Sequence, residues 1–190
     1  MKLIETEIPG VVILEPQRFE DERGHFFESF SQQWFTKNVC DTVFIQDNES
    51  RSRQNVIRGL HYQLPPAAQS KLVRVISGKI LDVAVDIRRG SPTFGQHVAA
   101  ELSGENFHQL FIPRGFAHGF AVLSKEAVVQ YKCDHFYSPG HEASIFHDDP
   151  ELRINWIVEP RKVIQSGKDN DAPKFSDAPL FEYGKNLYGR

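Results

Sequence analysis

The stretch KLVRVISGKILDVAVDIRRG, Lys71 to Gly90, sets the fold class. In its first half Leu72, Arg74 and Ile76 alternate with Val73 and Val75. In its second half Leu81, Val83, Val85 and Ile87 alternate with Asp82, Ala84 and Asp86. A period of two sends successive side chains to opposite faces of a strand, and the β-branched residues suit a pleated surface. Ser77-Gly78-Lys79 between the halves offers a glycine able to take positive φ, so the stretch predicts a β-hairpin. Outward from it the same signal repeats: GQHVAAEL, HQLFIP, GFAVLS and AVVQYKC follow, and GVVILEP, GHFFESF and TVFIQD precede. Turn signals such as GSPTFG and PRGFAHG separate them. Many short strands at this spacing define an all-β sandwich, jelly roll or barrel. Helical signals are scarce; SQQWFTKN, Ser31 to Asn38, reads as about two turns with Ser31 as N-cap. After Asn155 the chain becomes Pro-rich and irregular, which predicts a wrap over the strands of one domain spanning residues 1–190.

Composition excludes several classes. The 190 residues are 40% apolar and 12% aromatic, with 15 Phe, the profile of a packed core. Acidic residues number 25 against 22 basic, a net charge of −3, so no footprint for a nucleic-acid polymer is expected. No apolar run reaches membrane-spanning length, and MKLIETEIPG lacks the apolar centre of a signal peptide; no membrane association and a cytoplasmic location are expected. Cys40 and Cys133 form no C-x-x-C pair and read as reduced thiols.

Two segments suggest a cupin, a small double-stranded β-helix or jelly roll. PRGFAHG, Pro113 to Gly119, resembles the P-x-G-x-x-H half of the cupin pattern and supplies His118. In the other half His61-Tyr62-Gln63 stands in the place of H-x-H, and Lys71, seven positions before Gly78, stands in the place of the metal-binding Glu, with a longer spacer than usual. A divalent ion needs convergent N, O or S donors, preferably anionic, and an ammonium repels it. The expected pocket is therefore metal-free and holds an imidazole, a cationic Lys and a second His. A His titrates near neutrality and serves as a general base, and a nearby Lys stabilises an anion on a substrate oxygen. That set suits proton abstraction beside a carbonyl.

The motifs DERGHFFESF, QDNESRS, RGLHYQLPPAAQSKLVR, FGQHVAAELS, IPRGFAHGF, YKCDHFYSP and SGKDNDAP together resemble, in order from about Ile4 to Pro173, the dTDP-4-dehydrorhamnose 3,5-epimerase family. The resemblance implies a metal-free, cofactor-free cupin with a few short helices, acting as a homodimer. Its N-terminal strands would take part in dimerisation, and its substrate would be a dTDP-4-keto-6-deoxyhexose. The implied activity is inversion at carbons 3 and 5 of dTDP-4-dehydro-6-deoxy-D-glucose in dTDP-L-rhamnose biosynthesis. Carried over position by position, it implies His61 as base with Asp169 as its partner, Lys71 as enolate stabiliser and Tyr131 as the acid on the opposite face. It implies substrate contacts from Arg23, Glu28, Gln46, Asp47, Asn48, Arg58, His118, Tyr137, Glu142 and Lys168. Arg114 departs from the family pattern, and His141 and His147 carry no implied role. Taken singly, Arg23 and Arg58 could be ordinary surface ion-pair residues, Tyr131 a buried ring, and Asp47-Asn48 a turn. The competing readings are an epimerase of one carbon only, a sugar-nucleotide ketoisomerase, a non-catalytic nucleotide-sugar binding cupin and a metal-dependent cupin oxygenase.

Overall fold

The computed structural model describes residues 1–189. Its strands are β1 (Lys2–Glu5), β2 (Val12–Glu15), β3 (Phe19–Asp21), β4 (Gly24–Phe26), β5 (Gln46–Arg53), β6 (Ile57–Gln63), β7 (Lys71–Ser77) and β8 (Lys79–Asp86). They continue as β9 (Arg88–Arg89), β10 (His97–Ser103), β11 (Gln109–Ile112), β12 (Phe116–Val122), β13 (Glu126–Cys133), β14 (Glu142–Ser144) and β15 (Phe181–Glu182). Two α-helices, α1 (Gln32–Asn38) and α2 (Gly167–Asn170), complete the regular structure with three short 3-10 turns.

Two antiparallel sheets face each other. One has the order β1-β2-β11-β7-β13-β5, the other β10-β8-β12-β6-β14. The alternation seen in the sequence explains three apolar layers. Val73, Val75, Ile80, Ala84, Phe120 and Val129 meet between the sheets. Leu81, Val83 and Val85 point the other way and are covered by the chain after β14, through Ile145, Leu152, Trp156, Phe175 and Phe181. Leu72 and Phe111 on the outer face of the larger sheet are covered by Phe35 of α1. Each fully covered Leu, Val or Phe contributes about 1.5–3 kcal/mol relative to exposure. Ser31 caps α1 as expected, its hydroxyl accepting from Trp34 N–H at 3.4 Å.

Lys71–Asp86 is not a hairpin. β7 pairs with β11 and β13, whereas β8 pairs with β10 and β12 in the opposite sheet. Gly78 is the corner between them, at φ +82°, and a Cβ there would stand 2.1 Å from the Glu126 carbonyl. Periodicity identifies strands but not their partners; here both strands find theirs among later segments. The same topology makes Asp82 and Asp86 wholly buried, although alternation with Leu81 and Val83 suggested a half-buried strand. Two further expectations shift: β5 begins at Gln46 rather than Thr42, and within GHFFESF only Gly24–Phe26 is strand, paired with β3 in a separate exposed hairpin.

Candidate active site

Strand register assembles the site. Across the larger sheet Lys71, Cys133 and Gln46 stand side by side, and in the next row Val73, Tyr131 and Asn48. Facing them on the smaller sheet, His61 pairs with His118, which pairs with Ala84. Gln46, Asn48, His61, Lys71, Tyr131 and Cys133 of these rows line a cleft of about 340 Å³, together with Gln63, Tyr137 and Glu142. Gly59 lets β6 approach β12: it has φ +110°, and a Cβ would lie 2.6 Å from the His118 carbonyl.

His61 Nε2 lies 2.5 Å from Asp169 Oδ1. Asp169 is buried in α2, whose cap Ser166 accepts from the Asp169 N–H at 3.1 Å. Burial works to raise the Asp169 carboxyl, but the hydrogen bond and charge of His61, with bonds from Ser166 and the Gly59 N–H, hold it below its usual range. The carboxylate thus fixes the His61 tautomer: Nε2 carries hydrogen and donates it, leaving the Nδ1 lone pair as the basic atom.

Lys71 keeps some exposed stem, but its ammonium end is enclosed. There it donates to the His61 carbonyl at 3.3 Å and lies 5.9 Å from the centre of the Tyr131 ring. Burial lowers its pKa, opposed by Cys133, Asp82 and Glu142. Tyr131 is pushed up, chiefly by burial, with the Arg58 charge opposing. Arg58 itself is exposed and donates to the Ser52 hydroxyl at 3.0 Å. At the rim Glu142 accepts from Tyr137 at 2.7 Å and forms an ion pair with Lys168. Burial would raise Glu142, but those two bonds outweigh it and hold it low. The Tyr137 ring is 55% exposed, an open face beside the cleft.

His118 sits behind this first layer. It is 5% exposed and bonded through Nε2 to Asp82 Oδ1 at 2.7 Å. Burial lowers its pKa against the pull of Asp82. Asp82 Oδ2 is buried without a hydrogen-bond partner, and Asp82 acts electrostatically on both Lys71 and His118. Sequence reasoning missed Asp82; its signal was an acid inside the otherwise apolar run ILDVAV. It also missed Cys133 and Gln69 among the cleft-lining residues. In the two positions that depart from a metal-binding cupin, Lys71 is a cation and Gln63 is committed elsewhere. The Gln63 amide donates to the Ala67 carbonyl at 2.7 Å and accepts from Ser138 N–H at 2.8 Å.

Of the residues expected at the site, Arg58, His118, Lys168 and Asp169 do not line the cleft but bond to, pair with or act on residues that do, whereas three others stand apart from it. Strand alternation turns Asp47 outward between Gln46 and Asn48, where it pairs with Lys132 at 2.9 Å. Arg23 lies on the β3–β4 hairpin, bound to Asp21 and lining a separate groove with Phe19 and Phe26. Glu28 is exposed in the irregular segment after that hairpin and does not line the cleft. His147, buried beside Trp156, bonds to Gln165 at 2.9 Å, and His141 bonds to Ser138 at 2.8 Å.

Fold and cleft define a cupin-type jelly roll equipped to move protons at a carbon acid, with a carboxylate-held imidazole on one sheet and a tyrosine and lysine on the other. The chain belongs to the dTDP-4-dehydrorhamnose 3,5-epimerase family, whose model matches residues 5–177. It is 53% identical to the dTDP-4-dehydrorhamnose 3,5-epimerase of Shigella flexneri over 182 residues, covering 95% of this chain and 99% of the relative. It is 50% identical to that of Pseudomonas aeruginosa with the same coverage. The crystal structure of dTDP-6-deoxy-D-glucose-3,5-epimerase from Legionella pneumophila, in complex with dTDP-4-keto-L-rhamnose, superposes with a TM-score of 0.93. The two are 46% identical, over 97% of this chain and 99% of that one.

Proposed function

We propose that this protein is an isomerase that inverts carbons 3 and 5 of dTDP-4-dehydro-6-deoxy-D-glucose, giving dTDP-4-dehydro-L-rhamnose for dTDP-L-rhamnose biosynthesis. The observation that carries the reading is the placement of His61 and Tyr131 on opposite sheets, with the Lys71 ammonium between them. A sugar ring between the sheets has one face toward each group, which inversion requires.

The 4-keto group acidifies the hydrogens on both neighbouring carbons. His61 Nδ1 takes one of them, and Asp169 stabilises the imidazolium that forms. The electron pair moves into the ketone, and the Lys71 ammonium stabilises the enolate oxygen. Tyr131 then returns a proton to the opposite face. Burial raises its pKa, so it holds that proton throughout the neutral range. The tyrosinate oxygen then takes a proton from solvent and the imidazolium releases one to solvent, which restores both groups for the second carbon, so no oxidant or reductant is needed. Gln46, Asn48, Arg58, His118, Glu142 and Lys168 serve substrate binding and orientation. The exposed ring of Tyr137 offers a stacking face for the base.

Arg23 and Glu28 reach substrate only from a second copy of the chain in this reading, which supports a homodimer. The exposed Phe19 and Phe26 on the same hairpin, at 56% and 72%, favour such pairing. Asp47, turned away from its own cleft, acts on substrate only indirectly, through the placement of its strand neighbours. We read the chain as a single cupin domain working in the cytoplasm; among the described residues no helix is long and apolar enough to cross a membrane. Incubation with the 4-keto substrate and NMR of the product test the reading. Inversion at both carbons is expected; inversion at one carbon alone contradicts it in favour of a single-site epimerase.

A further inference from the structure

Leu187 and Tyr188 lie beyond the family match, which ends at residue 177, yet they close on the segment that leads into the cleft. The Tyr188 hydroxyl lies 2.9 Å from Ser70 Oγ and accepts from the Arg114 backbone N–H at 3.3 Å. The Arg114 guanidinium stands 4.9 Å from the centre of the Tyr188 ring and donates to the Leu187 carbonyl at 2.8 Å. Its Nε donates to the wholly buried carboxylate of Asp134 at 3.1 Å. Asp134 also accepts from the Ser70 N–H at 2.6 Å and the Thr42 hydroxyl at 2.8 Å.

These bonds meet at one place. Ser70 is buried and precedes Lys71, Asp134 follows Cys133, and Lys71 and Cys133 are partners in the strand register. Among the described residues no carboxylate lies within ion-pair distance of Lys71; its one hydrogen bond is to a main-chain carbonyl. A flexible four-carbon side chain with no anion at ion-pair distance takes its position from the strand that carries it. The start of β7 therefore decides where the ammonium stands, and the tail closes over that start.

We propose that Tyr188 is a positioning residue for Lys71: through Ser70 and Arg114, the C-terminal tail fixes the beginning of β7 and hence the place of the ammonium in the cleft. The proposal rests on the reading of Lys71 as the enolate stabiliser. It also gives Arg114, the departure from the family pattern, a purpose, since this side chain joins Asp134 to the tail. Burial pushes the Tyr188 pKa up to about 12, so its hydroxyl remains protonated where the enzyme would work.

The test uses the full chain. Tyr188→Phe keeps the ring over Arg114 and removes only the hydroxyl. In protein carrying carbon-13 at lysine Cε, the Lys71 signal is identified by its absence from Lys71→Ala. The proposal expects this signal to move in Tyr188→Phe and kcat to fall about fivefold, the worth of one neutral hydrogen bond, with KM unchanged. An unmoved signal overturns it, and so does wild-type kcat, whether or not the melting temperature falls. Full turnover by Lys71→Ala would instead bring down the enolate reading, and with it the catalytic meaning of the tail, while leaving the spectral shift standing.

Discussion

Among the described residues, an enclosed charge with no carboxylate at ion-pair distance is the decisive feature at the scale of single residues. Burial lowers the pKa of Lys71 below the ordinary 10.5, and only the ammonium form can stabilise an enolate. Activity is therefore present below the folded-state pKa and lost above it, so kcat/KM should show an alkaline limb below pH 10.5. Tyr131 is shifted upward from 10.0 and does not account for such a limb. Lys71→Arg should move the limb beyond the accessible range; an unchanged limb would show that another group titrates. Stability runs the opposite way to activity. The folded pKa lies below the unfolded one, so the unfolded chain binds more protons in the interval and stability grows as pH rises through it. At neutral pH, where the penalty is present, Lys71→Met should raise the melting temperature while abolishing turnover. For the proton-transfer pair, His61→Ala and Tyr131→Phe should each lower kcat by about 10²–10⁴ with dTDP-sugar binding retained, as calorimetry would show. Normal turnover by either variant would remove that residue from the mechanism.

Among the elements, β6 to β8 show what a sequence conveys and what it withholds. The strands themselves are legible because alternation of Leu81, Val83 and Val85 is a local property. Which sheet they join is not, because both partners of β7 and one partner of β8 lie thirty or more residues away, and the other partner of β8 is not the strand next to it in sequence. Gly78 was visible as a turn glycine, but its packing against the Glu126 carbonyl belongs to the sheet corner. Gly78→Ala should therefore destabilise by about 2 kcal/mol or more, since strain at positive φ is joined by a backbone clash; denaturant unfolding measures it, and an unchanged midpoint would contradict this role. Site residues divide in the same way. His61, Lys71 and Tyr131 were readable from motifs and residue chemistry, whereas Asp82 needed knowledge that β8 is covered on both faces. Asp47 illustrates the converse: its motif placed it at the site, and the period of the strand turns it outward to Lys132.

For the whole molecule, the two sheets with their coverings leave the β3–β4 hairpin as the part that packs least. Its Phe26 is 72% exposed, and its Arg23 lines a groove apart from the cleft. The proposed second copy would cover this hairpin. Light scattering should give twice the 21.7 kDa chain mass, and Phe26→Glu should shift the population toward the single chain with a loss of turnover. A monomer of full activity would contradict it.

In the proposed reaction protons exchange on both sides of one ketone, served by groups on opposite sheets. Its most direct measurement is NMR of dTDP-4-keto-6-deoxyglucose incubated with the protein in deuterated water. Both the carbon 3 and the carbon 5 proton signals should be lost, and neither with His61→Ala. Retention of both signals with substrate bound would contradict it.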